Sequence, residues 1–306
     1  GVKGLDKENI FTFSCWDDVQ KIKENLRSDT KAVVIGGGLT GLKAAESLSM
    51  LGVEVTIVEL ADRVLSTILD EPAAQLIHNV LEQHNITCHL GTTVAEILGD
   101  DKVSGVLLQN GDELSCDMLI FAIGITPNID LVKDTAVETN KGIVVDKHMR
   151  TSVNGIYAAG DVAEGYDLLF KKNRVLATLP NAYKQGEIAG LNMAGVPAVF
   201  AGGFAYNAIS FFGFLIITAG LQGAEGNIRE EVEIDEETCT YKKIIFKDDN
   251  IIGFIFLNDV DRAGILTGII RDSLDVGEFK GHLADMKFGY ASFPKKLRKE
   301  RLFGGV

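Results

Sequence analysis

Residues 31–59, KAVVIGGGLTGLKAAESLSMLGVEVTIVE, constrain the fold of this chain more than any other stretch. They open with the apolar, β-branched segment Ala32–Ile35, which is typical of a buried parallel strand. The hexad Gly36–Gly41 follows with the spacing G-x-G-x-x-G. In such a hexad the first glycine permits a tight turn, the second lets the backbone approach a pyrophosphate, and the third allows a helix to pack closely on a strand.

The residues after the hexad complete a strand–helix–strand unit. Residues 42–51 carry apolar side chains at helical spacing and stop at Gly52, and a second apolar strand, residues 53–58, leads to Glu59. An acidic residue about 20 positions beyond the glycines can accept hydrogen bonds from a ribose 2′-hydroxyl group. The unit therefore predicts a Rossmann-like site that favours NAD over NADP. A glycine-rich turn without a ligand is the alternative, but it does not explain the acid at the end of the strand.

Length and composition narrow the range of functions. A chain of 306 residues can hold about two or three cores. With 43 acidic and 30 basic residues its net charge is −13, which argues against nucleic acid or an anionic membrane as a partner. Cys15, Cys88, Cys116 and Cys239 include no C-x-x-C pair, so they predict the reducing cytoplasm and neither a metal site nor a redox dithiol. The most apolar stretch, residues 208–220, is too short to span a bilayer.

Further elements of the first half are predicted from apolar periodicity and turn residues. They are strands at 10–13, 86–90, 94–98, 103–109, 113–114 and 117–123, and helices at 16–26 and 71–83. Asn110-Gly111 is a strong two-residue hairpin signal. The strands on either side of it therefore predict an antiparallel meander that covers one side of the nucleotide-binding unit.

Two positions at strand ends are candidate ligand contacts. Gly124 follows the strand 117–123, where it is either a turn glycine or backbone against which a cofactor lies. Residues 155–161, GIYAAGD, predict a short strand that ends at Asp161, at the edge where ligands bind in open α/β sheets. Asp161 can accept hydrogen bonds from a polyol, or it can cap the next segment. A helix predicted from Asn181 to Ala194 would point the positive end of its dipole toward Asp161.

The composition changes beyond about residue 201 and predicts a small α+β domain. Its predicted strands are 206–219, 228–234, 240–246 and 251–257, and its predicted helices are 263–271 and 276–286. The basic residues 295–299 predict a solvated tail.

Taken in order, these motifs resemble the FAD-dependent pyridine nucleotide-disulfide oxidoreductases, especially the branch of NADH oxidases, NADH:rubredoxin reductases and nitrite-reductase-like proteins. The resemblance implies an α/β fold: a Rossmann-like NAD-binding domain with an inserted β-meander, a partial FAD-binding domain and a small α+β C-terminal domain. It rests on several segments in the family's order: the glycine hexad, Ala122-Ile123-Gly124 with Pro127-Asn128, Thr151-Ser152 with Ile156–Asp161, Asn181-Ala182 with Gln185-Gly186, and Asn207 with Phe211–Gly213.

The resemblance also implies domain boundaries and cofactor contacts. Residues 1–29 would be a return segment of the FAD domain, 30–126 the NAD-binding domain, 127–200 the C-terminal part of the FAD domain, and 201–306 the C-terminal domain. The implied contacts to NADH are Gly36, Gly37, Gly38, Leu39, Thr40, Gly41 and Glu59, with Gly124 near the nicotinamide. Asp161 would bind the ribityl chain of FAD, and Val162 and, at the start of the Asn181 helix, Ala182 would be further FAD contacts.

The implied function is that of an NADH-dependent flavoprotein oxidoreductase, in which hydride passes from NADH to FAD and then to an acceptor: rubredoxin or another small redox protein, a disulfide or oxygen. A homodimer is expected. The family's first FAD-binding half, with its own G-x-G-x-x-G, is not in this sequence, so we expect a longer parent protein or a second chain to supply it. A flavin-free NADH-binding module is the alternative.

Two residues depart from the family's pattern. Lys43 stands where the family usually has a glutamate near the nicotinamide, and Ser14 stands where it often has an arginine that contacts FAD. Both substitutions favour the flavin-free alternative mildly, unless they are harmless variations.

Overall fold

The computed structural model describes residues 2–223, 226–277, 283, 289–295 and 298–299. The chain forms two compact units. The first comprises Gly1–Ile125 with Ser210–Phe214, and the second comprises Thr126–Ile209 with Leu215–Val306. In the described part of the chain, no helix is both long and apolar enough to cross a lipid bilayer.

The first unit combines a parallel sheet, three helices and a small antiparallel sheet. Its elements in chain order are β1 (Ile10–Thr12), α1 (Trp16–Glu24), β2 (Lys31–Ile35), α2 (Leu39–Met50), β3 (Glu54–Glu59), α3 (Glu71–Gln83), β4 (Thr87–Leu90), β5 (Val94–Leu98), β6 (Gly105–Leu108), β7 (Glu113–Ser115) and β8 (Met118–Phe121).

The parallel sheet has the strand order β1-β8-β2-β3-β4. Residues 32–35 of β2 are buried, as expected for a central strand covered on both faces. From β2 the chain continues to β3 on one side, whereas β8 lies on the other side. The carboxyl end of β2 is therefore a topological switch point, which is where open α/β sheets bind ligands.

The predicted meander is confirmed. Strands β5, β6 and β7 pair antiparallel, and Gly111 has the positive φ of 95° that a tight turn requires. Val94 and Val106 from this sheet share one hydrophobic cluster with Val33 and Leu119 of the parallel sheet. The meander thus covers one face of the parallel sheet.

The assignment of residues 1–29 to a FAD domain stays a prediction. In the structure β1 pairs in parallel with β8, at the edge of the nucleotide-binding sheet. Helix α1 ends at Glu24, two residues before the predicted end. A hydrogen bond from the backbone N–H of Ser14, helped by the hydroxyls of Thr12 and Ser14, holds the pKa of Asp18 well below its usual range. Cys15 is the N-cap residue of α1, and the Asp18 carboxylate accepts from the N–H groups of Ser14 and Cys15 at the helix start, so Ser14 is engaged by the helix in this chain.

In its described residues, the second unit contains two sheets and two α-helices. Its elements are β9 (Ile143–Val144), β10 (Ala163–Asp167), β11 (Lys172–Val175), α4 (Leu179–Met193), β12 (Tyr206–Phe211), β13 (Phe214–Gly220), β14 (Ile228–Asp235), β15 (Thr240–Lys247), β16 (Asn250–Leu257) and α5 (Ala263–Arg271). The sheet orders are β11-β10-β9 and β12-β13-β16-β15-β14.

The predicted strand at residues 155–161 is wrong. The structure has only an isolated bridge between Arg150 and Tyr157 there. Gly155 and Gly160 have φ values of 81° and 84°, which interrupt an extended conformation. The segment after Asp161 is β10, so Asp161 caps no helix.

The start of α4 was also predicted too late. Thr178 is the N-cap residue, and Pro180 lies in the first turn, where its missing N–H costs little. Asn181 is buried inside the helix and donates to the Thr178 hydroxyl and the Phe204 carbonyl, each at 2.9 Å.

The single strand predicted at 206–219 is two strands. Phe212 and Gly213 have φ values of 49° and 82°, so they form a tight turn between β12 and β13. The apolar character of Phe212 concealed this turn from a periodicity argument. Most of the helix predicted at 276–286, and residues 296–297 of the basic tail, lie outside the described residues.

Candidate nucleotide-binding site

A cavity of about 500 Å³ opens at the carboxyl ends of β2 and β3 in the first unit. Its walls come from the glycine loop, the end of β3 with the segment after it, the start of β5 and the loop after β8. The lining residues are Ile35, Gly36, Gly37, Gly38, Leu39, Thr40, Val58, Glu59, Leu60, Leu65, Ser66, Thr67, Thr93, Ala122, Ile123 and Gly124. The structure thus brings together all of the predicted NADH contacts except Gly41.

The three glycines of the motif have different structural roles. Gly36 has a φ of 109°, and a Cβ atom there would clash with the Ala122 carbonyl. A Cβ atom on Gly41 would clash with the Gly36 carbonyl, so Gly41 serves helix packing and not the cavity wall. A Cβ atom on Gly38 would have no protein atom within 4 Å. Gly38 therefore keeps open the side that a ligand would approach.

Glu59 is already oriented by the protein backbone. Its Oε2 accepts the Gly37 N–H at 2.5 Å, and its Oε1 accepts the Ala61 N–H at 2.7 Å. Each carboxylate oxygen can accept a second hydrogen bond. The half-buried carboxylate is therefore ready to receive the two hydroxyl groups of a ribose.

The N-terminus of α2 forms the adjoining wall. Gly38 is its N-cap residue, and the cap position carries no side chain that could satisfy the first N–H groups. These groups and the positive end of the helix dipole attract an anion. A ribose site beside an anion site fits a dinucleotide, so the residues present suit NAD(H).

Nine lining residues were not among the predicted contacts: Ile35, Val58, Leu60, Leu65, Ser66, Thr67, Thr93, Ala122 and Ile123. The Leu65 N–H donates to the Gly37 carbonyl at 2.8 Å, which ties the segment after β3 to the glycine loop. Thr93 follows β4, the neighbour of β3, so the rule that ligands bind at carboxyl ends could have found it. For Ser66 and Thr67 the sequence holds no comparable signal.

The rim of the cavity is apolar. Leu60 is 66% exposed and Ile123 is 72% exposed, although both have large hydrophobic side chains. Gly124 follows with a φ of 102° and open space at its Cβ position. Gly124 therefore has a backbone conformation that favours glycine and lines the cavity, and its contact with a cofactor stays a prediction.

Lys43 does not line the cavity. Its ammonium group forms an ion pair with Glu46 and donates to the Ser210 carbonyl at 3.1 Å. Glu46 in turn accepts the Phe212 N–H at 2.6 Å, and the Phe212 ring stacks on His84 with centroids 3.7 Å apart. Residues 210–214 belong to the first unit. Lys43 is thus engaged in holding this turn.

The predicted FAD contacts lie together in the second unit. The Ala163 N–H donates to the Gly160 carbonyl at 3.0 Å and closes a turn around Asp161 and Val162. A Cβ atom on Gly160 would lie 3.6 Å from the Ala182 Cβ, so the turn packs on the first turns of α4. Asp161 is exposed. An exposed carboxylate beside a helix N-terminus fits one part of a flavin site, namely a polyol and the negatively charged side of a ring.

The cysteines do not contribute to the cavity. Burial raises the pKa of Cys88 and that of Cys116 to about 12. Their thiols therefore stay protonated at neutral pH and are poor nucleophiles. Cys15 and Cys239 are exposed free thiols.

The parallel sheet, the glycine loop and the acid at the end of β3 define a dinucleotide-binding α/β protein. The chain belongs to the pyridine nucleotide-disulphide oxidoreductase family, whose family model matches residues 1–186. A second model, the rubredoxin NAD+ reductase C-terminal domain, matches residues 206–274. The predicted family and fold class are confirmed, and the predicted cofactors, NAD(H) and FAD, are those of the family.

Similar proteins include several oxidoreductases. The chain is 30% identical over 279 residues to nitrite reductase [NAD(P)H] of Bacillus subtilis (strain 168), a match that covers 90% of the chain and 34% of that protein. It is 31% identical over 280 residues to the NADH-dependent phenylglyoxylate dehydrogenase subunit epsilon of Aromatoleum evansii, covering 90% of the chain and 66% of that protein. The chain spans about a third of the length of the first curated relatives that it matches.

Solved structures share the fold. A NAD-dependent persulfide reductase from A. fulgidus is 28% identical with a TM-score of 0.81, covering 94% of this chain and 56% of that one. A water-forming NADH oxidase from Lactobacillus brevis, bound to NADH, has a TM-score of 0.83 at 23% identity, covering 94% of this chain and 68% of that one.

Proposed function

We propose that the chain acts in an NADH-dependent flavoprotein oxidoreductase. The observation that carries this proposal is the carboxylate of Glu59, held by the Gly37 and Ala61 N–H groups at the mouth of the cavity, beside the N-terminus of α2. When bound, NADH supplies a hydride that FAD accepts together with a proton, and the reduced flavin passes electrons to an acceptor.

Different residues of the cavity bind different parts of NADH. Glu59 accepts the hydroxyl groups of the adenosine ribose, and a 2′-phosphate would bring negative charge against it. The N–H groups at Leu39 and Thr40 bind the pyrophosphate. The apolar wall at Ile123, with Gly124, receives the nicotinamide and excludes water from its reacting face.

Residues of the second unit hold the flavin. Asp161 accepts hydrogen bonds from the polyol chain, and Val162 and Ala182 provide the backbone and the small side chain against which the cofactor lies. The N-terminus of α4 stabilises negative charge on the ring system of the reduced flavin. In this proposal residues 127–200 act as part of a FAD domain and residues 201–306 as an interface domain of a homodimer.

The acceptor in this proposal is a small redox protein or another subunit. Two relatives support it by name, the rubredoxin-NAD(+) reductase of Pseudomonas putida at 28% identity and the assimilatory nitrate reductase electron transfer subunit of Bacillus subtilis (strain 168) at 30%. A disulfide or oxygen is the alternative acceptor. A cytoplasmic setting is part of the proposal, supported by four free cysteines.

The test is a visible absorption spectrum of the purified chain, recorded after incubation with FAD and removal of unbound FAD by gel filtration, and recorded again after NADH is added without oxygen. We expect a flavin spectrum that bleaches on addition of NADH, and NADH binding that is tighter than NADPH binding in calorimetry. Failure to bind NADH would overturn the proposal. A colourless protein that still binds NADH would instead select a flavin-free module.

A further inference from the structure

Gln185 is a polar side chain in a place where a nonpolar one would be expected. It lies on α4 and is 0% exposed. Its Oε1 accepts the Gly160 N–H at 2.9 Å. Its Nε2 is buried without a hydrogen-bond partner in the described part of the chain. Buried amides normally satisfy both ends, so this side chain makes a single bond at the cost of an unpaired donor.

That single bond acts on the residue before Asp161. Gly160 has a left-handed φ of 84°, and its carbonyl accepts the Ala163 N–H at 3.0 Å. The Val162 carbonyl accepts the Ile143 N–H at 2.8 Å. Gly160 is therefore fixed at both its N–H and its carbonyl, and Asp161 projects from a turn whose two flanks are held.

The neighbouring strand has a glycine where it passes the Gln185 amide. A Cβ atom on Gly165 of β10 would lie 2.7 Å from the Gln185 Nε2 and 3.2 Å from the Phe200 Cε1. Glycine at this position therefore makes room for the amide, whose Oε1 is held by the Gly160 N–H.

We propose that Gln185 is a positioning residue for the flavin site, because it sets the orientation of Asp161 through the Gly160 N–H. The inference rests on the proposed function, in which Asp161 receives the polyol chain of the flavin. A side chain that only filled space would not need an acceptor atom at this position.

The test compares Gln185→Met and Gln185→Glu by hydrogen–deuterium exchange resolved at Gly160. Methionine keeps a similar volume without the acceptor, whereas glutamate keeps an acceptor oxygen but buries a charge. We expect Gly160 to exchange about fivefold faster in the Met variant, the factor that corresponds to one net hydrogen bond. We expect near-native exchange at Gly160 in the Glu variant, although urea unfolding will show that variant to be the less stable of the two.

The ranking of the two variants by exchange at Gly160 is expected to differ from their ranking by stability, and this difference distinguishes a positioning role from simple structural support. If exchange at Gly160 follows overall stability, or if the Met variant leaves it unchanged, the proposal is wrong. Gly165→Ala is a second route, because it keeps Gln185 and displaces its amide, and it is expected to speed exchange at Gly160 as well. Lys184→Met, on the exposed side of the same helix, is the matched control and should have no effect there.

A second measurement, FAD affinity, tests whether the hydrogen bond from the Gly160 N–H to Gln185 affects cofactor binding. In a FAD titration, Gln185→Met is expected to weaken FAD about fivefold and to leave NADH affinity unchanged. Native FAD affinity in this variant would overturn the proposal. A chain that binds no FAD would count against the proposed function, while exchange at Gly160 would still decide the role of Gln185.

Discussion

At the scale of single residues, the Glu59 side chain is held in one position by the protein backbone, without a bound ligand. The Glu59 carboxylate spans from the Gly37 N–H to the Ala61 N–H, so its position does not depend on a bound nucleotide. Binding therefore loses little side-chain entropy at this residue.

Replacement of Glu59 by Gln tests its role. The isosteric amide turns one acceptor oxygen into a donor and removes the charge. We expect NADH affinity to fall roughly 10- to 100-fold, the range for hydrogen bonds to charged groups, and NADPH affinity to fall less. Isothermal titration calorimetry would measure both. Glu54→Gln, at the exposed start of the same strand, is the control and should bind NADH like the native chain.

The Gly36→Ala and Gly38→Ala variants separate folding from binding. Gly36→Ala meets both a φ of 109° and the Ala122 carbonyl, so we expect it to lose about 1–3 kcal/mol of unfolding free energy. Gly38→Ala meets open space, so its stability should stay within about 0.5 kcal/mol of native. NADH affinity should nevertheless fall at least about tenfold in Gly38→Ala, because the backbone can no longer approach the pyrophosphate. Equal losses of stability in the two variants would contradict this division.

At the scale of elements, an ion pair on α2 holds the turn at residues 210–214, and no sequence pattern predicts this contact. Lys43 and Glu46 are one helical turn apart, and their bonds to Ser210 and Phe212 cross a separation of more than 160 residues. The Glu46 side chain is only 10% exposed. A carboxylate at that depth depends on its cation and its backbone donor.

Removal of this cation should destabilise the chain. We expect Lys43→Met to lower the unfolding free energy by about 1–3 kcal/mol, because it leaves the Glu46 carboxylate buried without its cation. Urea denaturation measures the change. The matched control is Lys184→Met, which breaks an i,i+3 pair with Glu187 that is exposed on both sides and should cost less than about 0.5 kcal/mol. Equal effects of the two substitutions would show that the buried pair adds nothing.

Elements with strong local signals were predicted well. Helix α3 matches its predicted range, because Asp70 caps it, Pro72 lies in its first turn and apolar residues repeat at helical spacing. Residues 155–161 and 206–219 were mispredicted as single strands. In residues 206–219, positive φ values at Phe212 and Gly213 break the extended conformation inside a mostly apolar run, whereas in residues 155–161 Gly155 and Gly160 flank the apolar residues 156–159. Periodicity does not detect such a break when the side chains remain apolar.

At the scale of the whole molecule, each unit carries its own candidate site. All residues that line the nucleotide cavity belong to the first unit, and Asp161, Val162 and Ala182 belong to the second. The predicted division of the second unit at residue 200 stays a prediction, since residues on both sides of it fall in the same compact unit.

NADH binding should therefore slow hydrogen exchange only in the first unit. At NADH concentrations about 100-fold above the dissociation constant, binding stabilises a native state by about 2.7 kcal/mol. We expect slower hydrogen exchange in residues 36–41 and 59–67 and unchanged exchange in β15 and β16. NADPH at the same concentration should protect less. Equal protection of both units would contradict a site confined to the first.

The sequence by itself determined the position and the chemical class of the nucleotide site. The strand, the glycine hexad, the helix and the acid lie within about 30 consecutive residues, so short-range constraints specify them together. The tertiary structure decided which distant groups complete the sites: Thr93 and Ile123 at the cavity, Ser210 at Lys43, and Gln185 at Gly160. These contacts depend on how separate elements pack, and packing brings together residues whose spacing along the chain follows no helix or strand period.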